Sequence, residues 1–87
     1  MDRKDIINTL LTEKLRATQV SVIDESHLHA GHVGARSGKG HFAVTVQSPL
    51  FRNLTTIKRH RLIYKTLATL MDTDIHALSI VAKTPEV

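Results

Sequence analysis

Between His41 and Ser48 apolar and polar residues alternate strictly, with Phe42, Val44 and Val46 on one side and Ala43, Thr45 and Gln47 on the other. A period of two marks a strand buried on one face only. Such a strand cannot stand alone, because its apolar face must be covered by a second layer. The chain has 87 residues, room for one domain and one small core. The cover must therefore come from the rest of a single domain, residues 1–87.

Two stretches have helical spacing and supply that cover. In residues 2–16, Ile6, Ile7, Leu10, Leu11 and Leu15 recur one turn apart. Asp2 suits the cap, Asp5 the first turn, and Lys14 and Arg16 the last turn. A longer helix is predicted from a Thr55 or Thr56 cap to about Met71. Its apolar side is Ile57, Ile63, Tyr64, Leu67, Leu70 and Met71, and Lys58, Arg61 and Lys65 line the opposite side. Pro49 ends the alternating strand, and Leu50 to Leu54 reads as a short helical turn.

Two further strands complete the set. Val20 to Ile23 is short and β-branched. Ile75 to Lys83 alternates, with His76, Leu78 and Ile80 on one face and Ile75, Ala77, Ser79 and Val81 on the other. The first two strands should pair antiparallel, while the third arrives through helices. The predicted fold is α+β, in the order α-β-β-(short α)-α-β, with a small three-stranded mixed sheet and helices packed on one face.

Residues 24–40 follow no period and contain all four glycines. Segments this long inside a small domain are usually functional or disordered. Four of the six histidines, His27, His29, His32 and His41, fall between positions 27 and 41. Imidazole binds zinc, copper, iron and nickel, so the loop is either a metal ligand carrier or a solvated polar segment. His76 likewise reads either as a hydrogen-bonded core histidine or as a ligand on a rigid strand. With no cysteine, the chain forms no disulfide, does no thiolate chemistry and holds no iron–sulfur cluster by its own thiolates.

The chain carries a net charge of +4 with histidines neutral. Lys58, Arg59, His60 and Arg61, with Lys65, make a basic helix that suits an anionic partner such as double-stranded DNA, or else a solvated face. Only Lys58, Arg61 and Lys65 align. Three aromatic residues, Phe42, Phe51 and Tyr64, are too few for a platform that stacks single-stranded bases. Gly31 to Gly34 and Gly34 to Lys39 imitate phosphate-binding loops, but in the wrong context and spacing. No hydrolase triad is scaffolded around Ser26 and His27, so no enzyme is expected. No apolar run is long enough to span a membrane, and the charged N-terminus lacks an apolar signal core. A cytoplasmic location is expected.

Four motifs in order resemble the BolA family across almost the whole chain: Val22-Ile23-Asp24-Glu25-Ser26, the His/Gly loop ending in Gly40-His41-Phe42, the run Lys58 to Tyr64, and Ile75-His76-Ala77-Leu78 with the final Thr84-Pro85. The resemblance implies a class II KH-like fold and partnership with a monothiol glutaredoxin, across which a [2Fe-2S] cluster is shared. The glutaredoxin side supplies a cysteine and glutathione. The family's C-terminal histidine ligand maps onto His76. Its second ligand, from the loop, maps onto His29, with His32 as the alternative and His41 ranked behind both. Two imidazoles on one iron give a Rieske-like arrangement, labile to acid because ligation needs neutral imidazole. The resemblance also implies DNA binding by a transcriptional regulator of cell morphology and stress, through Lys58, Arg59, Arg61 and Lys65. The free chain is expected to be a monomer, and a heterodimer with glutaredoxin.

Overall fold

The computed structural model describes residues 2–26 and 39–85. Helix α1 (Arg3–Lys14) is followed by β1 (Gln19–Asp24) and β2 (Gly40–Gln47), which pair antiparallel. A 3-10 turn (Pro49–Phe51) leads to α2 (Thr56–Thr66) and α3 (Ala68–Thr73), and β3 (Ile75–Lys83) then pairs parallel with β2. The sheet order β1-β2-β3 puts the alternating strand in the centre. The α+β architecture with a mixed three-stranded sheet is the one expected from the pattern. Among the described residues no helix is long and apolar enough to cross a membrane.

Local chemistry sets the helix ends. Asp2 caps α1 by accepting from the Asp5 amide at 2.9 Å. Arg16 takes the left-handed region at φ 51°, and the Ala17 amide closes back onto the Thr12 carbonyl at 3.2 Å, which satisfies an orphan carbonyl of the last turn. Thr55 caps α2 by accepting from Lys58 N–H at 3.2 Å.

The core lies on one side of the sheet. Ile7, Leu11 and Leu15 of the first helical segment meet Phe42, Val44 and Val46 of β2, with Phe51, Ile63, Leu67 and Ile75 filling in around them. The other face of the sheet carries Ser21 and Ile23 of β1, Ala43 and Thr45 of β2, and Ser79 and Val81 of β3. Ile23 and Val81 are exposed there.

Two expectations about the second half need correction. The helix predicted over 55–71 is two helices with a turn at Leu67. The Thr66 hydroxyl donates to the Leu62 carbonyl at 2.8 Å, a back-bond that bends helices. The Leu67 amide is shared between the Ile63 and Lys65 carbonyls. Ile57 and Tyr64 also leave the apolar side: Ile57 is 65% exposed and Tyr64 40%. The buried side is set by Ile63 and Leu67, one turn apart. At 100° per residue Ile57 lies about 120° around the helix from Ile63, outside that stripe.

Candidate metal-ligating site and basic helix

The placement of His76 begins with the backbone. In the β2–β3 ladder Gly40 faces Ile75 and His41 faces Ala77, so His76 is an extra residue, a β-bulge. Ile75 before it is buried, and Leu78, Ile80 and Ala82 after it pack against the core. The bulge thus shifts the inward phase of the strand by one residue. His76 does not share a face with Leu78 and Ile80, as the alternation had suggested, and it is no core histidine: it is exposed.

Its neighbour is His41. The two ring centroids are 5.1 Å apart and the planes are tilted by 53°. His41 alternates with Phe42 along β2, so it belongs to the face of the sheet away from the helices, yet it is only 8% exposed. Its backbone is held at both ends. The His41 amide donates to Ser26 Oγ at 3.1 Å, and its carbonyl accepts from the Glu25 amide at 2.8 Å. Next to it, the Gly40 amide donates to the Asp74 carbonyl at 2.8 Å, and Asp74 Oδ1 accepts from Arg3 Nε at 3.2 Å. The residues that flank segment 27–38 and the start of β3 are therefore tied together beside the two imidazoles.

His29 and His32 lie outside the described residues. Among the described residues, no three His, Cys, Asp or Glu side chains gather into a metal-holding group. What the sheet itself supplies is the pair of imidazoles. In the sequence His41 ranks behind the loop histidines, because the parallel register that brings it to His76 is set only by the pairing of β2 with β3. A signal was present in β3, where apolar Ile75 and apolar Leu78 are out of step at period two.

The basic run divides in two. Lys58, Arg61 and Lys65 stand exposed on the outer side of α2, with Ile57 and Tyr64 among them. Arg59 turns inward instead: Nε donates to the Leu54 carbonyl at 3.0 Å and Nη1 to the Ala82 carbonyl at 3.3 Å. It braces α2 against the preceding loop and the end of β3.

Comparison with known proteins follows the same lines. The family model described as BolA-like protein matches residues 11–87. Protein BOLA1, chloroplastic, of Arabidopsis thaliana is 41% identical over 78 residues, which make up 86% of this chain and 49% of that protein. The chain thus spans about half the length of that relative. The DNA-binding transcriptional regulator BolA of Escherichia coli (strain K12) is 38% identical over 79 residues, 86% of this chain and 72% of that protein. The solved structure of the BolA domain of SufE1 from Arabidopsis thaliana is similar with a TM-score of 0.86 at 39% identity, covering 98% of this chain and 94% of that one. With its family model spanning all but the first turns of α1, and its sheet and helices arranged as in that structure, the chain belongs to the BolA-like family.

Proposed function

We propose that this chain is a non-enzymatic adaptor that shares a [2Fe-2S] cluster with a monothiol glutaredoxin, in iron–sulfur cluster trafficking or iron sensing in the cytoplasm. His76 is one ligand, and His29, with His32 as the alternative, is the other. The glutaredoxin side brings its cysteine and glutathione. The observation that carries this reading is the bulge at His76. It sets an imidazole outside the core phase of a rigid strand, beside the residues from which segment 27–38 departs and to which it returns.

The donor set suits the group. Imidazole is an iron ligand, and two imidazoles in place of two thiolates on one iron make the Rieske type of [2Fe-2S] cluster. A chain without cysteine must leave the thiolate positions to its partner. Three residues of sequence separate His29 from Ser26 and six separate His32 from it, a reach of at most about 11 Å and about 22 Å of extended chain. The residues of this chain bind and orient: Ser26 and Asp74 hold the backbone around His41 and the start of β3, and His76 presents its ring to solvent.

Titration of a cluster-loaded monothiol glutaredoxin with this protein, followed by visible absorption and circular dichroism, tests the reading. The spectrum should change with the wild-type chain. The change should vanish in His76→Ala and in one of His29→Ala and His32→Ala. A spectrum that does not respond to the wild-type chain sinks the proposal.

A second reading, a DNA-binding regulator of cell morphology and stress, is favoured by the exposed, aligned cations Lys58, Arg61 and Lys65, and by the name of the E. coli relative. Arg59 belongs to it less well, because its guanidinium already bonds two backbone carbonyls.

A further inference from the structure

We infer that His41 and His76 form a two-imidazole site for a single divalent transition-metal ion of the zinc class, built by the sheet alone and independent of both the glutaredoxin and the loop histidines. A metal about 2.1 Å from one nitrogen of each ring lies about 3.2 Å from each ring centroid. Seen at the tetrahedral angle, the centroids are then about 5.2 Å apart; at a right angle they are about 4.5 Å apart. The observed 5.1 Å matches the tetrahedral case. A tilted aromatic contact has a similar spacing, so the separation alone does not decide.

The backbone separates the two explanations. An aromatic contact needs no break in the ladder, yet here an extra residue is inserted at His76 itself, and bulges of this kind re-aim side chains at functional sites. The pair is also asymmetric. His41 is buried and its main chain is fastened by Ser26 and Glu25, whereas His76 is open to solvent. One ring is a fixed anchor and the other gives access. Rigid placement of this kind is what a metal ligand requires. Two protein ligands leave two tetrahedral positions for water or a partner's donors, which makes the site an open one.

The experiment is a titration of the untagged full-length chain with Zn²⁺, followed by calorimetry and by nuclear magnetic resonance of the imidazole nitrogens. One ion should bind per chain, shifting the ring nitrogens of His41 and His76 together. His76→Ala should weaken binding at least tenfold, and so should His41→Gln. The double variant His29→Ala, His32→Ala should bind within twofold of the wild type. The site is refuted if the wild type binds no Zn²⁺, if the His41 ring does not respond, or if the loop double variant loses binding while His41→Gln keeps it. Should His41→Gln fail to fold, the wild-type ring shifts and the exposed His76→Ala variant still decide. Because no glutaredoxin is present, a negative result here leaves the cluster titration free to succeed or fail separately.

Discussion

A Cβ on residue 40 would lie 2.7 Å from Cε2 of Phe42 and 2.7 Å from Oγ of Ser26. Neither atom can move aside freely. The Phe42 ring is buried in the core, and the Ser26 oxygen accepts the His41 amide. Residue 40 also donates its own amide to Asp74, at the turn that delivers His76. A methyl group here therefore strains the core and the support of the histidine pair together. Overpacking of this kind typically costs about 1–3 kcal/mol. Gly40→Ala should lower stability by that amount in urea denaturation, with broadened ring resonances of His41. A variant as stable as the wild type would mean that the Ser26 bond to His41 is dispensable.

At the scale of elements, α2 shows how one charged run takes two jobs. Arg59 bonds the Leu54 and Ala82 carbonyls, while Lys58 one position earlier is exposed. Hydrogen bonds from a charged donor contribute about 1.5–3 kcal/mol when partly shielded, whereas exposed surface substitutions stay within about 0.5 kcal/mol. Arg59→Ala should thus destabilise clearly in denaturant titration and Lys58→Ala hardly at all; equal effects would mean that the Arg59 bonds to Leu54 and Ala82 do not brace the helix. The element types were legible in the sequence because period two at Phe42 to Val46 and the turn-spaced leucines of α1 are carried by the residues themselves. The slip at His76 and the break at Leu67 were not, because each depends on what the element packs against. A bulge is a matter of register with β2, and the turn at Leu67 follows a back-bond from Thr66. For the same reason His76 and His41 were each legible as candidates, but their proximity was not: it is a product of parallel pairing across 35 residues of chain.

The molecule as a whole keeps its two candidate surfaces apart. α2 and the turn that ends it pack through Ile63 and Leu67 against the core face of the sheet, so Lys58, Arg61 and Lys65 look away from the sheet on the helical side. His41 alternates with core-facing Phe42 and lies on the other side, with His76 beside it. If the cations serve DNA, three phosphate contacts give a salt slope of about −2.7 on logarithmic axes, and metal or cluster ligation has no such dependence. The two activities should then separate by mutation. Lys58→Glu, Arg61→Glu and Lys65→Glu combined should abolish binding to duplex DNA at low salt and leave the cluster-dependent circular dichroism with glutaredoxin unchanged. His76→Ala should do the reverse. Both variants alter exposed positions, so His76→Ala should keep its fold within about 0.5 kcal/mol and the triple variant within about 1.5 kcal/mol, which denaturation checks directly. Loss of DNA binding in His76→Ala, or loss of the cluster signal in the triple variant, would mean that one partner spans both faces and that the separation read from the fold is wrong.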